Sequence, residues 1–421
     1  MLALPPPTRQ IDQVAHNTAC RWVGSQLATV LARRRREWPP MMASGMMSVC
    51  VVPWRGPPRR RCNVAASPAS PESAREVPPE LPLGGNVAGG LSASWVASVR
   101  EAHAGDDASL TSLLLPHAQR LAVPPVSRFP VGAVGLGESG RMYLGANLEL
   151  AGLPLSHSVH AEQALVASVM RAGETRLTWV ATTAPPCGHC RQFLNELGGS
   201  DGLRLVTPGV GFQGSSHDNK GLTLPMLLPH RFGPEDLLGG GHRGLLSHGP
   251  LKAVLEVGDL QSDSDRWGAG EEAREEARAA AFAAATLSYA PYTKCPSGAA
   301  VVLADGRVFS GSYVECAAYN PSLPPLQAAL SAAVIDGRCL TPPPGDGGQG
   351  DGEGGGRPRG EGSVDWASPS SPTRVVHACV VERTDGAISQ ASTVRMVLGE
   401  IAPGCSLEVC GLAVCDSGAG V

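Results

Sequence analysis

Two short stretches carry side chains that could hold a metal ion. HAEQALVASVM opens with His160 and Glu162 at the head of a segment with helical apolar spacing, and PPCGHC contains Cys187 and Cys190. Zinc takes nitrogen and sulfur ligands in tetrahedral geometry, and a catalytic zinc keeps one of its four positions for water. Three ligands are present and no second C-x-x-C lies nearby to supply a fourth, so we expect an open, catalytic site.

Glu162 follows the expected ligand His160 by two residues and is the candidate proton carrier. Each expected ligand stands at the start of a predicted helix, where unpaired backbone N–H groups and the positive end of the helix dipole favour thiolate over thiol. Two helix N-termini would therefore converge on one metal. A carboxylate at Glu162 can take a proton from a zinc-activated water and pass it to a leaving group.

Other interpretations of these residues stay open at this point. C-x-x-C is also the spacing of a redox-active dithiol, although such a pair needs no His-x-Glu at the head of a preceding helix. A closed structural zinc site is a second alternative. His189, inside the C-x-x-C, is expected to be an exposed helix residue and not a ligand.

The composition indicates a mostly globular chain of two domains. With 421 residues, 43% of them hydrophobic, each domain can bury its own core, while 52 glycines and 37 prolines leave room for loops. The 12 cysteines do not form the dense framework of a small secreted domain, so we expect a reducing compartment. Apolar runs stay well short of the roughly 18 residues that span a bilayer, so we expect no membrane span.

Charge separates the start of the chain from the rest. Ten arginines against Asp12 and Glu37 give the first 71 residues a net charge of +8, although the whole chain carries −4. Residues 1–85 therefore predict a disordered Arg/Pro-rich extension, either an organelle transit peptide or a basic tail. We expect a cytosolic or organellar protein, in a chloroplast or mitochondrion, that is not secreted. The acidic remainder argues against a nucleic-acid-binding surface.

The order of predicted elements indicates an α/β fold. Residues 86–125 have helical apolar spacing that stops at Pro124 and Pro125. Residues 126–240 then predict a β-hairpin, the helix HAEQALVASVMRAG, the strand LTWVATTA and a second helix at CGHCRQFLNELGG. This β-β-α-β-α order predicts a three-layer α/β/α domain with a central mixed sheet.

The same pattern returns 166 residues later, after a linker and helix at 241–285. At that offset five residues repeat: Pro130 with Pro296, Gly132 with Gly298, Gly140 with Gly306, Arg141 with Arg307, and Glu149 with Glu315. Residues 286–415 are therefore predicted to be a second copy of the domain. A Gly-rich stretch at 341–371 interrupts it and should form a surface loop.

The second copy lacks the metal-binding residues of the first. Pro324 stands opposite His160, Leu326 stands opposite Glu162, and no C-x-x-C follows. The second copy cannot build the same site. We interpret it as a scaffold that covers an exposed face of the first copy.

Several motifs make the chain resemble a known family. GANLEL, VHAEQALVASV, PPCGHCRQFLNEL, LPHRFGPEDLL and PSGAA with DGRVFSGSYVECAAYNPSLPPLQAAL are similar to the two-domain, homodimeric class of cytidine deaminases, from about residue 90 to about residue 411. His-x-Glu with Pro-Cys-x-x-Cys is the signature of the zinc deaminases. The resemblance implies hydrolytic deamination of cytidine and deoxycytidine with release of ammonia, in pyrimidine salvage. It also implies one Zn²⁺ per chain and a homodimer.

The resemblance also implies which residues contact the substrate. Asn147 and Glu149 match the motif residues that hold the ribose 3′-hydroxyl, and Phe129 matches an aromatic that packs on the pyrimidine ring. The backbone N–H of Ala161 matches the donor to the 2-oxo group of the base. Phe232 resembles a residue that helps to close the pocket.

One departure and two rival functions qualify this prediction. Pro185 stands where relatives often carry a tyrosine or another polar residue, which affects how the amino group or ribose is recognised. One rival is an organellar deaminase of RNA, which the acidic body disfavours, as does GANLEL, because that motif binds a hydroxyl that a nucleic-acid chain would have esterified. The other rival is a non-catalytic zinc or nucleoside-binding protein.

Overall fold

Two mixed β-sheets with helices packed against them form the framework of the protein. The computed structural model describes residues 90–103, 107–207, 221–256, 270–339 and 364–415. The predicted α/β class is confirmed, with two mixed sheets and helices between their strands. The predicted extension at 1–85 lies outside the described residues. Within the described ranges, no helix is both long and apolar enough to cross a bilayer.

The first half of the described chain contains a six-stranded sheet. Its strands, in the spatial order β1-β3-β2-β4-β5-β6, are β1 Gly90–Leu91, β2 Gly132–Gly137, β3 Met142–Ala146, β4 Leu177–Thr182, β5 Arg204–Val206 and β6 Leu222–Thr223. Its helices are α1 Ala93–His103, α2 Asp107–Arg120, α3 Ala161–Arg171, α4 Gly188–Leu194, α5 Leu224–Leu227 and α6 Pro234–Leu238.

The second half contains a five-stranded sheet in the spatial order β7-β11-β10-β8-β9. Its strands are β7 Ala253–Glu256, β8 Ser297–Leu303, β9 Val308–Ser312, β10 Val375–Glu382 and β11 Ser406–Val414. Its helices are α7 Glu271–Thr286, α8 Pro325–Cys339 and α9 Ala391–Ile401.

The two sheets share one topology, which confirms the repeat. The order β3-β2-β4-β5 in the first corresponds to β9-β8-β10-β11 in the second, and in each the last two strands are parallel. The predicted β-β-α-β-α order appears as β2, β3, α3, β4 and α4. Gly132 and Gly298 let a helix, α2 or α7, pass close to the strand: a Cβ on either would lie 2.4 or 2.3 Å from backbone atoms of that helix. Each repeat thus includes the helix that precedes its hairpin.

The Gly-rich insertion predicted at 341–371 is described only at its end. Residues 340–363 lie outside the described chain, and residues 364–371 form an irregular segment that leads to β10. Trp366 is buried in the main core, and its carbonyl accepts a hydrogen bond from the Val375 backbone N–H, at the start of β10. This tryptophan anchors the end of the predicted surface loop to the second domain.

The second domain packs directly against α3 of the first. The Gln163 side-chain N–H donates to the Pro321 carbonyl at 2.9 Å, and Arg171 forms an ion pair with Asp336 of α8 at 2.8 Å. These contacts lie at both ends of α3, so the second domain fixes the position of that helix.

Candidate metal centre

The three predicted ligands lie at the starts of two helices. His160 is the N-cap of α3 and Cys187 is the N-cap of α4, both with extended backbone, and Cys190 lies in the first turn of α4. The backbone N–H of His160 donates to the Gln163 side-chain oxygen at 3.0 Å, which fixes the entry into α3. The two helix N-termini converge, as the sequence predicts.

Gly145 of β3 allows α3 to approach the sheet. A Cβ at this position would lie 2.3 Å from the Ala161 carbonyl oxygen and 2.5 Å from the Leu165 backbone nitrogen. Both are backbone atoms of the first two turns of α3 and cannot move independently of the helix. The absence of a side chain at Gly145 thus sets the depth at which His160 is held.

The three ligand atoms have the spacing of a tetrahedral zinc site. His160 Nδ1 lies 3.5 Å from Cys187 Sγ and 3.3 Å from Cys190 Sγ, and the two sulfurs lie 3.7 Å apart. With Zn–S of about 2.3 Å and Zn–N of about 2.0 Å at tetrahedral angles, two sulfurs stand about 3.8 Å apart and sulfur and nitrogen about 3.5 Å apart. The side chains present therefore fit zinc with no rearrangement larger than a few tenths of an ångström.

The two cysteines differ in acidity. Hydrogen bonds from the Cys190 thiol and from His160 lower the pKa of Cys187 to about 3, so this sulfur is a thiolate. The adjacent Cys187 thiolate and burial raise the pKa of Cys190. The hydrogen bond with Cys187 raises the pKa of His160. Without a metal, these three groups hold protons in hydrogen bonds to one another. A divalent cation would displace those protons, because metal ligands bind in their deprotonated forms.

Glu162 is a buried carboxyl group beside the ligands. Only 4% of the residue is exposed, in the first turn of α3, and its carboxyl group interacts with Cys190. Burial raises the pKa of Glu162, because a carboxylate loses hydration there. A carboxyl group with a raised pKa next to a metal site is suited to hold and release a proton.

His189 occupies a different environment from the one predicted. It is partly buried and its ring stacks on that of His160, with centroids 4.8 Å apart and planes 16° apart. Its Nε2 is buried without a hydrogen-bond partner within the described residues. The prediction of an exposed helix residue is wrong, because the close approach of α3 and α4 covers the ring. Only the three-dimensional approach of the two helices reveals this contact.

Asn147 and Glu149 both form hydrogen bonds with the backbone of the loop that leads into β2. Asn147 accepts a hydrogen bond from the Val131 N–H at 2.8 Å and donates one to the Phe129 carbonyl at 3.1 Å. Glu149 Oε2 accepts from the backbone N–H groups of residues 126 and 127 at 2.9 and 2.8 Å. The Glu149 charge also raises the pKa of His160, so this carboxylate lies within electrostatic reach of the metal ligands.

The remaining predicted substrate contacts are placed as follows. Ala161 is buried at the first position of α3, where a helix leaves its backbone N–H without an intrahelical partner. The rings of Phe129 and Phe232 are exposed, at 60% and 47% of the residue surface. The Phe232 carbonyl accepts hydrogen bonds from the side chains of Gln192 and Asn195, which attach its loop to α4.

Arg191 holds the backbone around the site in place, a role that was not predicted from the sequence. Its Nε donates to the Pro186 carbonyl at 2.8 Å and its Nη1 donates to the Leu227 carbonyl at 2.9 Å. These bonds fasten the turn before Cys187 to α5. The only sequence signal is an arginine directly after the second cysteine of the C-x-x-C.

The fold and the site together define a zinc-binding α/β protein of two repeats, in which the first repeat carries the ligands. Residues 105–202 and 224–341 match the family described as the cytidine and deoxycytidylate deaminase zinc-binding region. The chain belongs to the cytidine deaminase family, and zinc is its cofactor.

Relatives that are similar in sequence support this assignment along most of the chain. Cytidine deaminase 1 of Arabidopsis thaliana is 40% identical over 305 residues, which is 71% of this chain and 89% of the relative. Cytidine deaminases of Aeromonas hydrophila and Photorhabdus laumondii are 39% and 40% identical over 259 residues, which is 61% of this chain and 79% of each relative. The crystal structure of cytidine deaminase from Mycobacterium tuberculosis matches 31% of this chain and 99% of that one, at 32% identity and a TM-score of 0.26.

Proposed function

We propose that the protein is a zinc-dependent cytidine deaminase that replaces the C4 amino group of cytidine, and of deoxycytidine, by oxygen and releases ammonia. The observation that carries the proposal is the tetrahedral spacing of His160, Cys187 and Cys190 with the buried Glu162 carboxyl beside them. Its relatives of about 40% identity are named cytidine deaminases.

In this proposal three side chains hold the metal and one moves the proton. His160, Cys187 and Cys190 would hold zinc, which would activate a water for attack on C4. Glu162 takes a proton from the attacking water, delivers it to N3 of the pyrimidine, and then carries the proton of the newly formed C4 hydroxyl to the amino group, which leaves as ammonia. Its burial favours the protonated form that the second transfer needs, because hydration no longer stabilises the carboxylate.

Substrate recognition uses groups around the same helix start. The Ala161 N–H donates to the 2-oxo group of the base, since the first N–H groups of a helix are unpaired. Asn147 and Glu149 bind the ribose 3′-hydroxyl: among the described residues only Oε2 of Glu149 is engaged, which leaves Oε1 to accept. Phe129 covers one face of the pyrimidine and Phe232 helps to close the pocket, and the exposure of both rings is consistent with contact surfaces.

We propose that the protein acts as a homodimer. Besides the two rings assigned to the substrate, three large apolar side chains are exposed in segments that flank the site: Val126, Leu155 and Met226. Exposed apolar side chains concentrated around one site indicate a surface that another molecule covers. Light scattering after size exclusion should give twice the mass of the 43.4 kDa chain.

The compartment is proposed from the arginine-rich start alone. Residues 1–85 are predicted to be a transit peptide or a basic tail. A transit peptide would direct the protein to a chloroplast or mitochondrion, and a basic tail would leave it in the cytosol. A fluorescent protein fused after residue 85 distinguishes them by co-localisation with organelle markers.

The decisive experiment compares free nucleosides with a polynucleotide. Purified protein is incubated with cytidine, deoxycytidine and a single-stranded RNA containing cytidine, and uridine formation and ammonia release are measured together with bound zinc. We expect turnover of both nucleosides and none of the RNA. Turnover of RNA alone would favour the organellar polynucleotide deaminase, and zinc-loaded protein without any turnover would favour a non-catalytic binding protein.

A further inference from the structure

A second group of metal-binding side chains lies on the sheet of the second domain. His377 and Cys379 are alternate residues of β10, and Glu408 and Cys410 are alternate residues of β11. The two strands are parallel neighbours, with Cys379 opposite Glu408 in their register. Because side chains of a strand alternate between faces, all four project from the same face of the sheet.

These four side chains are buried and close together. None of them exposes more than 4% of its surface. The ligand atoms of Cys379, Glu408 and Cys410 lie within 4.8 Å of one another, with Cys410 Sγ 3.2 Å from Glu408 Oε1. His377 Nε2 lies 3.8 Å from Glu408 Oε2. Two sulfurs and a carboxylate thus form one buried group, and the His377 nitrogen lies beside it, next to the carboxylate.

His377 carries an unused ligand atom that points into this cluster. Its Nδ1 is hydrogen-bonded to the Ser406 hydroxyl at 2.8 Å, which fixes the ring. Its Nε2 is buried and has no hydrogen-bond partner within the described residues. Nearly all buried polar atoms are paired, so an unpaired one indicates a missing partner. A metal-ligating histidine has this arrangement: one ring nitrogen held by a neighbour, the other directed at the metal.

We propose that His377, Cys379, Glu408 and Cys410 form a second zinc site, separate from the one on α3 and α4. Two thiolates, an imidazole and a carboxylate match the ligand preference of zinc, and four protein ligands make a closed, structural site. The zinc joins β10 to β11. The four residues are buried in the second domain, so the site contributes to stability and not to deamination.

The electrostatics of the region permit this binding. Arg278 of α7 donates to Glu408 Oε1 at 2.6 Å and balances its charge. When zinc binds, two thiols release their protons, so one divalent cation replaces two protons and the net charge of the buried region does not change. A buried site avoids the large cost of an uncompensated charge in this way.

An ordinary apolar core does not account for the same residues. Cys379 and Cys410 alone would pack as small apolar side chains, as buried free cysteines do. The burial of Glu408 is explained by its ion pair with Arg278, but the unpaired His377 Nε2 has no such explanation, because an unpaired buried polar atom is costly. Zinc would supply the missing partner of this nitrogen.

The test counts zinc on the full-length protein, produced with added zinc and freed of loosely bound metal on a chelating resin. We expect two zinc ions per chain in the wild type, one in Cys379→Ser/Cys410→Ser, and one in Cys187→Ser/Cys190→Ser. Cys405→Ser, a matched control in the same domain outside the cluster, should keep two. Cytidine turnover per remaining catalytic zinc should be unchanged in Cys379→Ser/Cys410→Ser and lost in Cys187→Ser/Cys190→Ser.

A second measurement covers the case in which Cys379→Ser/Cys410→Ser does not fold. Cys187→Ser/Cys190→Ser protein is loaded with Co²⁺, and thiolate-to-cobalt charge-transfer absorption then reports the second site alone. A single zinc in the wild type, no such absorption, or a Cys379–Cys410 disulfide in non-reduced peptides would each overturn the proposal. Failure of the proposed deaminase function would show differently, as a normal zinc count without turnover of cytidine.

Discussion

Glu149 and Glu315 hold equivalent turns in the two repeats. Glu149 Oε2 accepts the backbone N–H groups of residues 126 and 127, and Glu315 Oε2 accepts those of residues 292 and 293. Both sets of positions differ by the same 166 residues. Because the second repeat keeps this arrangement without the metal ligands, the carboxylate has a structural task that does not depend on substrate. The proposed contact of Glu149 with ribose is therefore an addition to an existing role.

Replacing each glutamate by glutamine separates these roles. Glu149→Gln keeps an oxygen for the turn but weakens a hydrogen bond to the ribose hydroxyl, and bonds to charged groups contribute about 1.5–3 kcal/mol. We expect kcat/KM for cytidine to fall roughly tenfold to a hundredfold at that energy, mainly through KM. Glu315→Gln, the matched control, should leave both constants unchanged. Equal losses in the two variants would show that only the turn matters.

Glu162→Gln tests the proton carrier. The amide keeps the shape of the side chain but cannot carry the proton, so turnover should fall by roughly 100- to 10,000-fold, the range for loss of a general acid–base group. The catalytic zinc should stay bound. Glu174→Gln is a matched control, since Glu174 is also buried in the first domain but contacts Ser139 and Tyr143. Steady-state kinetics with parallel zinc analysis decide it: near-normal turnover in Glu162→Gln would contradict the mechanism.

His189 tests the ligand set. Cys187→Ala should lose one zinc per chain relative to the wild type, because two protein ligands do not retain the ion against a chelator. His189→Ala should keep that zinc, since the His189 ring stacks on His160 and the zinc ligands are His160, Cys187 and Cys190. Loss of the stacking partner loosens His160, so we expect zinc to exchange faster with a chromogenic chelator. If His189→Ala is purified without its catalytic zinc, the assigned ligands are wrong.

The sequence predicts the metal-binding residues of the site better than the contacts that surround them. His160, Cys187 and Cys190 could be identified because residue type and spacing alone indicate zinc. The burial of His189 and Trp366 could not, since each depends on contacts that form between separate elements. The same holds for the proposed second zinc site, whose ligands are far apart in the chain and meet only through strand register.

Gly145→Ala tests the contact between β3 and α3. The added Cβ would overlap backbone atoms of the first two turns of α3, and such overpacking costs about 1–3 kcal/mol. We expect a lower Tm and weaker catalytic zinc binding, because the helix start that carries His160 must shift. Gly188→Ala is the matched control within the site, since a Cβ there meets no atom within 4 Å. Indistinguishable melting curves and zinc affinities for the two variants would contradict this role of Gly145.

The last prediction concerns the second domain, which lacks catalytic residues yet should be required for activity. Glu196, fully buried just after α4, accepts hydrogen bonds from the Tyr289 and Tyr292 hydroxyls and from the Ala317 N–H, all in the second domain. A chain that ends at residue 240 loses these three donors.

Removing the second domain would also expose the apolar surface of α3 that α8 covers. We expect the shortened chain to aggregate or to lose turnover, measured by light scattering and cytidine deamination. Deletion of residues 1–85, a matched removal outside the described fold, should preserve both solubility and turnover. A soluble and fully active chain ending at residue 240 would contradict the scaffold role, since the contacts of Glu196 and α3 would then be dispensable.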